Sequence, residues 1–160
     1  MLPENKWIQY GLPNMEVKGI VIHNTNNQSW SAERLEQYMN ETEFNAGTHY
    51  FVDHNEIRQV MPLDWSVWNT GMGMDFGNLH CISIEIVSNP SEKLYEQGER
   101  KAIDLIKKLM EEYHLTINDI YFHRDFNHSV NCPAQILKKY GTKQNFLSNC
   151  RERIKELEGK

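Results

Sequence analysis

The stretch HRDFNHSVNCP, residues 123–133, sets two histidines and a cysteine among residues that favour loops. Cys132 follows His123 by nine positions, and a third donor, His23, ends the β-branched run GIVIH far upstream. Two imidazoles and a thiolate suit zinc. Three protein ligands leave a fourth position for water, the arrangement of catalytic rather than structural sites. Zinc so held lowers the pKa of water to roughly 7, which makes hydroxide available near neutrality. Glu85, in the strand-like run CISIEIVS, is the candidate general acid and base, taking a proton from that water and returning it to a leaving nitrogen.

Each signal alone has a plainer reading. A strand-end histidine is often a hydrogen-bonded structural residue, a lone cysteine a small apolar filler, and a carboxylate on a strand a solvent-facing side chain of a half-covered sheet. Two other chemistries use the same residues: a metal-free Cys132/His123 nucleophile pair, and a structural zinc with His128 as fourth ligand.

Positioning these side chains requires strands that end near one another. EVKGIVIHNT reads as a short buried strand with Val21 and His23 on one face. SAERLEQYMNE reads as a helix capped by Ser29 or Ser31, with Leu35, Tyr38 and Met39 at helical spacing. THYFVD, a turn at His54-Asn55 and EIRQVMP form a hairpin that Pro62 closes. WSVWNTGMGMDFGN has no period, which predicts a long ordered loop over a site. Strict alternation puts Cys81, Ser83 and Glu85 on one strand face and Ile82, Ile84 and Ile86 on the other. The stripe from Ala102 to Tyr113 predicts a helix over 96–113. IYF is a short strand delivering His123, Pro133 opens a helix that Gly141 ends, and a last helix covers 146–157. Strands and helices interleave without repeat or linker, as one α/β or α+β domain over residues 1–160.

Composition narrows the partners. The chain has 160 residues and a formal charge of -5, with both signs mixed and no basic block outside the last helix, which argues against a nucleic-acid partner. No run approaches the roughly 18 apolar residues of a membrane span, and MLPENKWIQYGLPN lacks the charged-then-apolar pattern of an export signal. The three cysteines, Cys81, Cys132 and Cys150, are an odd set at wide spacing, so at least one thiol is free.

The ordered set VIHNT, THYFVD with EIRQVMP, WNTGMG, CISIEIV and HRDFNHSVNCP, spanning residues 17–137, closely resembles the type 2 N-acetylmuramoyl-L-alanine amidase family, which includes phage endolysins, bacterial wall amidases and animal peptidoglycan recognition proteins. The resemblance implies a central mixed β-sheet flanked by helices, with one zinc in a groove. It matches His23, His123 and Cys132 to the zinc ligands and Glu85 to the acid-base glutamate. It implies hydrolysis of the amide between N-acetylmuramic acid and L-alanine of peptidoglycan, hence wall degradation, with muropeptide as the partner.

Departures from the family pattern mark further candidates. Asn69 stands where relatives often have a histidine. Cys132 lies one position further from His123 than in many relatives, and Val130 replaces a basic residue, a deficit that Arg124 or His128 would fill. Thr48 replaces an aromatic before His49. The loop from Trp65 to Asn78 and residues from Asn24 to Asn27 are expected to line the groove, with Asn24, His49, Trp68, Asn69, Arg124 and His128 as substrate-binding candidates. The alternative is a non-catalytic recognition module, which typically lacks the cysteine ligand kept here. The resemblance and the missing export signal together point to an endolysin-like protein held in the host cytoplasm before it reaches the wall, or to an extracellular one.

Overall fold

Alternation in the short strands decides which side chains meet the core and which meet the site. The computed structural model describes residues 1–160. In chain order the elements are α1 (Glu4–Tyr10), β1 (Gly19–Asn24), α2 (Ala32–Glu41), β2 (Tyr50–Val52), β3 (Ile57–Gln59), α3 (Phe76–His80), β4 (Cys81–Ile86), α4 (Glu92–Glu112), β5 (Ile120–Phe122), α5 (His123–Phe126), α6 (Ala134–Tyr140) and α7 (Lys143–Glu158). The strands form one mixed sheet in the order β3-β2-β4-β1-β5. The β1–β4, β1–β5 and β2–β4 pairs are parallel, and β2–β3 is the antiparallel hairpin. A central mixed sheet flanked by helices is the fold class expected.

One sheet face is apolar. Ile20, Ile22, Ile82, Ile84, Ile86 and Phe122 pack there against Ala102, Ile103, Ile106 and Leu109 of α4 and Phe146 of α7. Each fully buried isoleucine contributes roughly 1.5–3 kcal/mol of transfer free energy, so this layer stabilises the sheet without any ligand. The opposite face carries Val21, His23, Phe51, Ser83 and Glu85, because successive residues of a strand alternate sides. A smaller cluster covers part of it, including Tyr10, Leu35, Met39, Phe51, Val60 and Met61. Register does the rest. His23 pairs with Glu85 across β1 and β4, and Phe51 pairs with Glu85 across β2 and β4. The carboxylate is therefore held between an imidazole and a phenyl ring.

Several boundaries differ from expectation. α4 begins four residues before the predicted start, at Glu92, because Ser91 caps it by accepting from the Leu94 amide at 3.4 Å. α7 begins at Lys143 behind the Thr142 cap. Ser31, not Ser29, caps α2 through the Arg34 amide. Three helices depart from expectation: α1, α5 within HRDFNHSVNCP, and α3, which takes the last residues of the expected Trp65–Asn78 loop behind its Asp75 cap. Local pattern is weak in α1; its anchor is Tyr10, fully buried, whose hydroxyl donates to the Met39 carbonyl. No helix is long and apolar enough to cross a membrane.

Candidate active site

His23 and Glu85 each lie one residue before the end of their strands, β1 and β4, and His123 opens α5 directly after β5. Parallel pairing brings these carboxyl ends together. Cys132 arrives from the loop before α6, fixed there by the Arg124 amide, which donates to the Cys132 carbonyl at 3.1 Å. The ligand atoms of His23, His123 and Cys132 all lie within 4.8 Å of one another. Cys132 Sγ is 3.7 Å from His23 Nδ1. Nitrogen and sulfur ligands of a tetrahedral zinc, at about 2.0 and 2.3 Å from the metal, stand roughly 3.6 Å apart, so this pair already has the separation zinc requires.

Hydrogen bonding also sets which nitrogen each ring offers. His23 Nε2 is 3.0 Å from Asn69 Oδ1. The Asn69 amide nitrogen donates to the carbonyls of Val67 at 2.8 Å and Gly77 at 3.2 Å, so only its oxygen is left to face the ring. His23 must donate from Nε2 and keep the Nδ1 lone pair free. His123 Nε2 meets the Thr70 carbonyl at 2.9 Å, an acceptor only, which sets the same tautomer. Partners of this kind orient metal-binding imidazoles.

Burial tunes the charges. His23 is held down to about 3 by its buried position and then by the neighbouring His123, so its ring is neutral and able to ligate. Burial raises Glu85 to about 8. Glu85 Oε1 is 3.9 Å from His23 Nδ1, while Oε2 is buried with no hydrogen-bond partner. Cys132 is pushed up to about 12 by burial and then by the nearby Glu85 charge. With no cation beside it, the thiol is held protonated. A coordinating dication reverses the logic and deprotonates a thiol outright.

These residues open onto a groove of about 810 Å³. His23, Asn24, Asn69, Glu85, His123 and Cys132 contribute polar side chains to its lining, and Trp30, Tyr38 and Phe44 contribute aromatic ones. Asn24 is nonetheless mostly committed internally. Its oxygen accepts from the Ile136 amide at 3.0 Å and its nitrogen donates to Tyr95 Oη at 3.0 Å. Asn24 thus pins the start of α6 beside Cys132.

The other candidates fall outside the groove lining. Trp68 is half-buried, and its amide donates to the Tyr10 carbonyl at 2.8 Å. Arg124 and His128 are exposed, and His128 is not among the clustered ligands. Of the loop from Trp65 to Asn78, only Asn69 reaches the lining. Thr70 was missed because it acts through its backbone carbonyl, which carries no residue-type signal.

His49 is fully buried and does not reach the groove, its Nε2 donating to the Trp65 carbonyl at 2.7 Å and its Nδ1 accepting from the Ser83 amide at 2.9 Å. Protonation would turn that acceptor into a second donor facing an N–H. Burial accordingly lowers its pKa to about 4, below the ordinary value near 6.5. With the folded value depressed and the neutral form favoured by the fold, the stabilisation is complete above about pH 6.5 and is lost as pH falls toward 4, on the order of 2–3 kcal/mol. His23 acts in the same direction. Urea unfolding at pH 7 and pH 4.5 should show the fall, and His49→Gln should flatten part of it. An unchanged slope in the variant would assign the acid sensitivity to other groups.

The fold is that of amidase and endolysin catalytic domains. PlyL superimposes with a TM-score of 0.85 at 27% identity, covering 93% of this chain and 92% of that one. The PlyG catalytic domain gives 0.86 at 27% identity, covering 95% and 91%. N-acetylmuramoyl-L-alanine amidase CwlA of Bacillus subtilis (strain 168) is 32% identical over 136 residues, 82% of this chain and 49% of CwlA. Amidase XlyB of the same strain is 33% identical over 130 residues, 79% of this chain and 40% of XlyB. The chain thus spans less than half the length of these curated relatives. The family profile of N-acetylmuramoyl-L-alanine amidase matches residues 13–135. The chain belongs to the type 2 N-acetylmuramoyl-L-alanine amidase family.

Proposed function

We propose that residues 1–160 form a zinc-dependent catalytic domain that hydrolyses the amide between the lactyl group of N-acetylmuramic acid and the L-alanine of the peptidoglycan stem. The observation that carries this reading is the convergence of His23, His123 and Cys132 within 4.8 Å, beside the half-buried carboxyl of Glu85, 3.9 Å from His23 Nδ1. Such a ligand set fits zinc, and three ligands leave one position facing the groove. Zinc, when bound, supplies a Lewis acid that polarises the carbonyl and makes water acidic enough to attack near neutral pH. Glu85 takes the proton from the attacking water and returns it to the leaving nitrogen. Asn69 and Thr70 keep the two imidazoles turned, and the groove holds glycan and peptide on either side of the bond. Family membership, and the amidase names of CwlA and XlyB, support the choice of bond.

The deciding experiment digests purified peptidoglycan and determines product masses. Stem peptides with a free L-alanine amino terminus and intact glycan carrying free lactyl carboxylates are the expected products. A chelator should abolish their release, and added zinc should restore it. Glycan or peptide cleavage would overturn the reading, and muropeptide binding without cleavage would identify a recognition module.

A further inference from the structure

We infer that Asn78, which touches neither imidazole, is a positioning residue that presets both His23 and His123 with Nδ1 free for metal, by holding the Asn69–Thr70 segment whose oxygens accept from the two rings. The inference rests on reading those histidines as metal ligands.

The two acceptors sit on consecutive residues of a loop that no strand supports. Asn69 and Thr70 are buried, and Thr70 fully so. Their backbone amides both donate to one atom, Asn78 Oδ1, at 2.7 and 2.9 Å. A carbonyl oxygen has two lone pairs, and here both are used by this one segment. Asn78 is itself immobilised. It is 1% exposed, its Nδ2 donates to the Gly73 carbonyl at 2.7 Å, and its amide donates to Asp75 Oδ1 at 2.8 Å at the start of α3. Between the ends of this clip the chain reverses through Gly71 and Gly73, whose φ values of 73° and 66° lie in the left-handed region. Glycine adopts that region without a steric cost.

From the clip the geometry runs outward to the rings. Asn69 Oδ1 faces His23, and the Thr70 carbonyl accepts from His123 and, at 3.3 Å, from Asn127 Nδ2. Asn127 reaches only the Thr70 side. Removing the Asn78 oxygen leaves two buried amides without an acceptor, and buried backbone donors are almost always paired. The segment must shift to find new partners, and both ring acceptors shift with it. Each imidazole then samples the other tautomer, in which Nδ1 carries the proton and cannot bind metal.

The test uses the full chain, labelled with 15N. Long-range ring correlations in the metal-free protein at pH 8 should report Nε2–H for both histidines. In Asn78→Ala both rings should give averaged nitrogen shifts, and zinc should bind about 10-fold more weakly, the lower end of the usual cost of losing an outer partner. Circular dichroism and the spectra of the α4 core should be unchanged. Asn78→Asp retains an oxygen for both amides but turns an acceptor in place of a donor toward the Gly73 carbonyl, so it should keep the wild-type tautomers while lowering the urea midpoint. A folded Asn78→Ala with wild-type tautomers and affinity overturns the inference. If the alanine variant does not fold, Asn78→Ser decides, because its hydroxyl sits one bond short of the two amides: averaged ring shifts support the role, and wild-type tautomers exclude it. The ring readout needs neither zinc nor peptidoglycan. A wild type that binds no zinc would therefore overturn the proposed function while leaving the tautomer result intact.

Discussion

Replacing Glu85 by glutamine is expected to leave fold and zinc content intact and to lower turnover by about 10²–10⁴, the usual worth of general acid-base catalysis. The side chain sits between His23 and Phe51 on adjacent strands, one oxygen 3.9 Å from His23 Nδ1 and the other buried without a partner. Burial holds its proton to about 8, and a nearby dication would pull that value down. The two effects act in opposite directions on a group that must serve as base and then as acid. Glutamine keeps the shape and cannot accept the proton. The measurement is release of soluble stem peptide at saturating peptidoglycan, beside metal content. Near wild-type turnover would make Glu85 a spectator and assign the proton transfer to another group.

How far the site was legible follows from where its information resides. Period-two alternation in Cys81–Ile86 is a local signal, and it separated Glu85 from the isoleucines correctly because one face packs on α4. The β-branched run ending at His23 and the strand before His123 were legible for the same reason. Their side-by-side placement was not, because register is set by pairing across the sheet and by the crossover helices. His49 illustrates the limit. Its sequence context allows groove or interior equally, and only the Trp65 carbonyl and Ser83 amide, both distant in sequence, commit it to the interior. Asn69 was singled out for standing where relatives have a histidine. That its amide nitrogen is tied to Val67 and Gly77, leaving the oxygen for His23, depends on a loop whose contacts are mostly to backbone. Backbone partners leave no trace in residue type, which also hid Thr70.

Cys132→Ser is expected to weaken zinc binding by more than about 100-fold, beyond the range for loss of an outer partner, and to abolish activity at ordinary zinc concentrations. A serine hydroxyl is a neutral, hard donor where a thiolate is anionic and soft, and soft sulfur is what favours zinc in a mixed site. The chain around it should stay folded. Its backbone is fixed by the Arg124 amide on the Cys132 carbonyl, and α6 is tied down by Asn24 and by reciprocal bonds of 3.0 and 2.8 Å between Gln135 and Asn89. None of these contacts involves the sulfur, and the apolar layer under α4 lies on the other face of the sheet. Circular dichroism and the urea midpoint of the metal-free protein should therefore match wild type closely. His128→Ala is the control. His128 is exposed and stands outside the ligand cluster, so its loss should leave zinc content unchanged. If His128→Ala loses the metal while Cys132→Ser keeps it, the third ligand has been misassigned. If Cys132→Ser unfolds, the metal is structural, because a catalytic ion on a sheet already stabilised by its isoleucines and α4 would not be needed for folding.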